Sequence, residues 1–419
     1  MKKPLSTCIL TTAVALLGSG AALALDPWQT ADLFQGVPGF RANATDIGTA
    51  ADGTTLYSVG WADFNTAGDY SAIVRKSIDS GLTWATVDNY LEPGWSSASY
   101  RGFGAGTIAT GGSLFACGTL WDQPTQSQRW LVRESGAGGT SWQTTDTYQA
   151  VPGASATCGD VKMNPYTGDV YAVGGGYTGA GTSTPYNWIV RKRAAGSTSF
   201  VTVDTVSSEP YAEARAVAFH RTAGVLVVGR VGYGTTSRWT VRGSANGGAT
   251  WTNVDLFQDS AGAFSLARGI AVSPSGTIYV CGKAIQTFKK GPVKSVNNWV
   301  VRRSLDGGTA WSVVDRFGAE STGLMTGAGI TLSPEGTVFV TGVSLVYGGS
   351  PGHLVRKGTT AQNGAMTWTT SDDFRLVAGR DSEGQGITSD AFGNIFSAGF
   401  GNDSTGIGHY LTRRLAGPQ

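Results

Sequence analysis

Two sets of seven charged residues recur through this 419-residue chain. Arg75, Arg133, Arg191, Arg242, Arg302, Arg356 and Arg413 close short apolar phrases such as Trp299-Val300-Val301. Asp32, Asp88, Asp146, Asp204, Asp255, Asp315 and Asp372 each stand four residues after an aromatic. Guanidinium and carboxylate groups build anion clamps and acid–base pairs. Their number argues against chemistry here, because a reaction needs its site once, whereas a residue present in every unit belongs to the unit. Both sets are therefore expected to be scaffold. If Arg302 sits opposite about Ser312 in a hairpin, Asp315 lies roughly 10 Å further along the strand, so the two need not be partners.

The elements that carry these residues repeat with them. Successive arginines are 58, 58, 51, 60, 54 and 57 residues apart, a seven-fold internal repeat. The aromatic ahead of each Asp gives the same count, as Trp28, Trp84, Trp142, Phe200, Trp251, Trp311 and Trp368. So does the glycine that ends an apolar run, at Gly60, Gly118, Gly174, Gly229, Gly282, Gly342 and Gly399. In the unit 269–317, Gly269-Ile270-Ala271-Val272, Thr277 to Gly282, Trp299 to Arg302 and Trp311 to Phe317 read as four short β-runs separated by turn chemistry, with no helical period. Four strands per radially repeated unit make a propeller blade. Trp28 to Phe34 is a fourth strand with no first three before it, and the last unit stops after its third strand at Arg413. The expected fold is all-β: a single seven-bladed β-propeller of four-stranded antiparallel blades over residues 25–419, its ring closed by the amino-terminal strand, which completes the last blade and removes an open edge.

At the turn between third and fourth strands, Ser77-Ile78-Asp79-Ser80-Gly81-Leu82-Thr83-Trp84 resembles the Asp-box, or BNR, repeat of sialidase-like propellers, and Ser304 to Trp311 is a second match. Ser244 to Trp251 has Asn246 in the Asp place, Ser135 to Trp142 has Ala137, the stretch before Trp368 is one residue longer, and the one before Phe200 is degraded. The resemblance implies structural turns, with an Asp capping its own backbone and a Trp packed between sheets. It does not carry sialidase activity across, because seven blades replace the usual six and no Tyr/Glu pair is identifiable by motif.

Function is sought in what the repeat does not explain. Trp61, Trp95 and Trp121 fall outside repeat positions, Trp61 and Trp121 in second-to-third-strand loops and Trp95 in the connection between the first two units. All three belong to the face opposite the Asp-box turns. They form either a sugar-stacking platform or the plugs of the loops' own small cores. Alignment on Ile270 sets Thr45, Arg101, Gly159, Arg215, Arg268, Ala328 and Gln385 at the mouth of the axial channel. Arg101, Arg215 and Arg268 there suit a carboxylate or sulfate, unless Asp46, Asp160, Glu213, Asp381 and Glu383 neutralise them as ion pairs. His220, His353 and His409 make no metal-ligand spacing, and no metal or cofactor is implied. Cys117 and Cys281 read as core, while Cys158 is either free or near Cys117. Lys283, Lys289, Lys290 and Lys294 with Phe288 form a basic loop on the same face.

Residues 1–24 read as a secretory signal: Lys2 and Lys3, an apolar run from Cys8 to Leu17, then Ala22-Leu23-Ala24. The expected mature protein is extracytoplasmic, periplasmic or secreted, with a formal charge of zero, because the segment carries two of the 31 basic residues and none of the 29 acidic ones. That balance argues against nucleic-acid binding, and no later stretch approaches the roughly 20 apolar residues of a membrane span. With 62 Gly and 14% charged residues, disorder, coiled coil and collagen are excluded. The expected function is binding of a polysaccharide or glycan on the face carrying Trp61, Trp95, Trp121 and the three arginines. If the protein is an enzyme, it is a glycan lyase, with Tyr100, Tyr211 or Tyr233 available as base, or a glycoside hydrolase using two of Asp46, Asp160, Glu213 and Glu383. The alternative is a non-catalytic protein-interaction scaffold.

Overall fold

The computed structural model describes residues 27–64, 69–93, 97–106, 112–122, 125–179, 185–288, 295–318, 325–344 and 349–417. The leader 1–24, Trp95, Lys289, Lys290 and Lys294 lie outside them. The described residues form 28 β-strands and a single turn of 3-10 helix, Gly234–Thr236. Five sheets are four-stranded antiparallel meanders. The sixth joins two further meanders, Ala42–Thr49 to Ala85–Tyr90 and Ser97–Gly106 to Trp142–Tyr148, through the parallel pair Tyr70↔Ser97. In the sheet that begins at Ser382–Ser389, the outer strand is Gln29–Phe34 from the other end of the chain, antiparallel to Gly408–Leu415.

Sheets meet face to face through apolar side chains on both surfaces, so second and third strands are buried almost throughout. The repeated glycine makes this contact possible. A Cβ on Gly282 would lie 2.1 Å from Leu266 O and 2.9 Å from the Trp239 ring of the preceding sheet. Gly174, Gly229 and Gly342 take Trp130, Trp188 and Trp299 in the same way. Gly282→Ala is expected to lower stability by about 2–3 kcal/mol, since backbone blocks one side of the new methyl and a buried indole the other. Urea unfolding checks this, and a loss below about 1 kcal/mol would show that the sheets slide apart easily.

As expected, the seven Arg and seven Asp do not pair within a hairpin; they pair from one four-stranded meander to the next. Each Asp accepts the Arg of the following unit: Asp32–Arg75 at 2.5 Å, Asp88–Arg133 at 3.4 Å, Asp146–Arg191 and Asp204–Arg242 at 2.7 Å, Asp255–Arg302 at 2.9 Å, Asp315–Arg356 at 2.8 Å and Asp372–Arg413 at 2.9 Å. A one-residue bulge before every Asp twists the fourth strand at this point. Six of the guanidiniums also stack on the aromatic two residues beyond the Asp, as Arg356 does on Phe317 at 4.3 Å. The Asp88 link is looser because Asp88 also accepts the Tyr100 hydroxyl at 2.6 Å.

The third-to-fourth-strand turns tie themselves off. Asp79 Oδ1 accepts from the Ser77 hydroxyl at 2.8 Å and from the amides of Leu82 and Thr83 at 3.1 and 2.9 Å. These bonds, the Thr83 hydroxyl foremost, hold its carboxyl down at about 2. Trp84 Nε1 donates to Gly81 O at 3.2 Å. Asp306 and Asn246 organise their turns in the same pattern.

His353 takes the third-strand aromatic position and is fully buried, its Nε2 sharing a hydrogen bond of 2.6 Å with Ser397 Oγ of the next sheet. Burial, with Arg413 adding to it, pushes the ring down to about 3. The unfolded chain protonates this ring below about 6.5 and the folded chain only near 3. Stability is therefore lost as pH falls between those values, by up to about 1.4 kcal/mol per pH unit. His353→Gln keeps a hydrogen-bonding group and is expected to flatten that slope between neutral pH and about pH 4.5. Equal slopes in urea unfolding of the two proteins would remove His353 from the account.

Candidate functional site

The strand register explains why one position per unit faces the axis. Every inner strand carries a one-residue bulge, and the residue skipped by the pairing is Thr45, Arg101, Gly159, Arg215, Arg268, Ala328 or Gln385. A bulged residue leaves the ladder and its side chain is re-aimed. All seven line one cavity of about 430 Å³, with Ile47, Phe103, Ile270, Ile330 and Ile387 below them. Side chains at one aligned position in seven different units thus share a single space.

The charges of the cavity are unequal in their commitments. Its wall holds Arg101, Lys162, Arg215 and Arg268 against Asp46 and Asp160. Asp160 is fixed by the amides of Val161 and Val217 at 2.8 and 3.0 Å and by Lys162 at 3.4 Å. Asp46 accepts the Phe103 amide at 3.0 Å, and burial pushes its carboxyl up to about 6 against the pull of Lys162. Both aspartates tie one inner strand to the next. Arg215 pairs with Glu213 at 2.8 Å, leaving its Nε without a partner.

Arg268 and Arg101 differ from Arg215. Among the described residues neither has a hydrogen-bond or ion-pair partner. Arg101 is exposed, whereas burial and the like charge of Arg215 push Arg268 down to about 10. Glu383 faces Arg268 electrostatically but accepts its hydrogen bond from Gln385, at 3.1 Å. The neutralised ring is therefore partial: one of the three arginines is paired and two are free.

Beside Arg215, Tyr211 donates to Glu213 Oε2 at 2.8 Å, so a Tyr/Glu pair that no motif announced is present at the mouth. Burial, then the charge of Glu213, pushes the Tyr211 phenol up to about 12, which keeps it a proton donor. The signal was in the sequence: Tyr211, Glu213 and Arg215 alternate along one inner strand and its lead-in. Tyr100, by contrast, is buried in the core with its hydroxyl on Asp88 and is no candidate base. Tyr233 is exposed.

Trp61 and Trp121 stand in the second strands Leu56–Asp63 and Ser113–Asp122, not in the loops expected of them, because pairing with Ala72 and Gln128 carries each strand further outward. Both are half-buried. Trp61 packs on Tyr70 at 5.0 Å and under Arg41 at 5.8 Å. No ring contact joins it to Trp121, and neither lines the axial cavity. Among the described residues the three cysteines are free of disulfides and buried, with Cys117 and Cys158 in one apolar cluster and Cys281 in another. His220 caps its own turn, its Nδ1 accepting the Ala223 amide at 2.9 Å. Lys283 lies half-buried over Phe264 at 5.7 Å. The described residues contain no cluster of three metal-ligating side chains, and no helix among them is long and apolar enough to cross a membrane.

No family model and no curated protein matches the chain. Among solved structures it is similar to the α-L-arabinofuranosidase Arb93A of Fusarium graminearum, at 10% identity over 94% of this chain and 97% of that one, with a TM-score of 0.50. It is similar to polysaccharide lyase Uly1 at 8% identity over 89% of each chain, with a TM-score of 0.52. An ancestral GH74 enzyme aligns at 15% identity over 91% of this chain and 49% of its own length, with a TM-score of 0.53. At these identities the likeness is one of fold, the β-propeller.

Proposed function

We propose that the chain is an exported, closed seven-bladed β-propeller of the Asp-box, sialidase-like kind that binds an acidic polysaccharide or glycan over its axial mouth. Seven inner-strand bulges, seven Arg–Asp links and the pairing of Gln29–Phe34 with Gly408–Leu415 support seven blades and their closure. Two propellers of similar fold are, by name, an arabinofuranosidase and a polysaccharide lyase, which agrees with a glycan as ligand. The carrying observation is Arg268, a guanidinium set into the cavity wall with no protein partner and a like charge beside it. Arg268 is part-exposed to that cavity, so its donors are open to an anion entering there. Arg101 faces the same space with its donors free, and a carboxylate or sulfate fits the forked geometry of both.

The acid–base material is tied up: Asp46 and Asp160 hold amides, and Glu213 holds Tyr211 and Arg215. That favours binding without cleavage as the second reading. Purified mature protein, incubated with neutral, carboxylated and sulfated polysaccharides, separates the two when retention and release of reducing ends or unsaturated uronates are read in the same tubes. Release makes it a hydrolase or lyase, and retention alone makes it a binding module. Neither signal across the panel overturns the glycan reading in favour of a protein-interaction scaffold.

A further inference from the structure

A row of tyrosines leads away from the axial mouth. Tyr177 meets Tyr186 edge-on with ring centroids 4.9 Å apart, Tyr186 stacks on Tyr211 at 4.9 Å, and Tyr211 lies 6.3 Å from Tyr233. Backbone fixes the middle of the row: Tyr186 and Tyr211 form a parallel bridge, and Gly232 N donates to Tyr211 O at 2.8 Å. Tyr186 and Tyr211 spend their hydroxyls on Thr157 and Glu213, each at 2.8 Å. Tyr186 is buried and gives its face to Tyr211, so the ring that the row opens to solvent is that of Tyr233, with part of Tyr177 and Tyr211 beside it. At its far end Tyr233 is 68% exposed. Arg230 lies over the Tyr211 ring at 4.2 Å, its Nε 4.0 Å from Glu213 Oε2.

We infer that this row is a sugar-binding subsite continuous with the axial mouth, in which one pyranose of an acidic polysaccharide lays its C–H face on Tyr233 and the chain runs past Arg230 and Glu213 towards Arg268. The inference rests on the glycan reading above and adds to it a direction for the chain and a requirement for a polymer over a single sugar acid. A flat ring covers the apolar face of a sugar while polar groups at its edge meet the hydroxyls. Arg230, its side chain 17% exposed beside the Tyr211 ring, supplies such a group along the row. A proline-rich peptide also docks on aromatic-lined grooves, but the Arg268 and Arg101 donors at the inner end of the row call for an anion that poly-proline lacks.

Calorimetric titration of wild type, Tyr233→Ala, Tyr233→Trp and Arg268→Gln tests this, with galacturonic acid, galacturonate oligomers, chondroitin sulfate oligosaccharides and poly-L-proline as probes. Tyr233 stands on a surface turn, so its truncation leaves the fold intact. Wild-type affinity is expected to rise with oligomer length. Tyr233→Ala should bind oligomers at least tenfold more weakly with monomer binding unchanged, Tyr233→Trp should restore them, and Arg268→Gln should weaken both. Affinity independent of length, or oligomer binding untouched in Tyr233→Ala, overturns the subsite and leaves the axial reading standing. Saccharides that fail to bind wild type at all remove both. Binding of poly-L-proline in their place overturns the inference and assigns the row to a peptide.

Discussion

Arg268→Gln is expected to abolish retention on carboxylated and sulfated polysaccharides, by a hundredfold or more in affinity, while the urea midpoint rises. The two signs come from one cause. Burial and Arg215 hold Arg268 down to about 10, so the folded state is disfavoured by the charge at every pH below that value. Removing the charge relieves the fold and removes the donor that an anion would meet. A hydrogen bond to a charged group contributes about 1.5–3 kcal/mol, and a forked pair of them gives the expected loss. Arg101→Gln, at an exposed position, should weaken binding less and leave stability unchanged. An Arg268→Gln protein that is less stable than wild type would mean that the guanidinium has a structural partner, and the anion assignment would fall with it.

The second large effect lies between the sheets. Arg356→Met is expected to cost about 3–5 kcal/mol, because it leaves the Asp315 carboxylate buried without its partner. Burial already pushes Asp315 up, against the opposing pull of Arg356, so desolvation is the larger force in this pair. The double change Arg356→Met with Asp315→Leu should therefore recover most of the loss, since two apolar side chains of similar size avoid both desolvation costs. Urea unfolding of the four proteins of the cycle measures it. A double variant as unstable as the single one would show that the pair itself, and not the orphaned charge, holds the sheets together. The exposed pair Arg238–Glu209 at 3.0 Å is the control, worth at most about 1 kcal/mol.

Much of this architecture is legible in the chain because each unit repeats the same problem and solves it with the same residue types. The axial positions follow from aligning units on Ile270, and the bulges show why that alignment works. What one unit cannot reveal is its neighbour. Arg302 and Asp315 miss one another within a hairpin, and their partners lie in the neighbouring units: Arg302 reaches back to Asp255 and Asp315 forward to Arg356. Trp61 and Trp121 look like loop residues because the turn chemistry around them is rich in polar and small side chains, whereas cross-strand pairing extends the strands past it. Tyr211 with Glu213 was hidden differently. Their spacing puts them on one side of a strand, but many strand pairs share that spacing, and only the convergence of Arg215 and Arg230 marks this one.

The pairing of Gln29–Phe34 with Gly408–Leu415 has a kinetic meaning. Arg413 reaches Trp28 O across 385 residues of sequence, so among the described residues the seam between first and last strands is the least local contact of its kind. Contacts of that separation form late and slowly. The other meanders can assemble as the chain emerges, each from its own neighbours, while the sheet that begins at Ser382–Ser389 waits for both ends. Until then one inner face and the outer edge of Gly408–Leu415 stay open, a template for any other extended chain nearby. The last event in folding is thus a search by one short strand, and its rate sets how long the protein is at risk of pairing with the wrong partner.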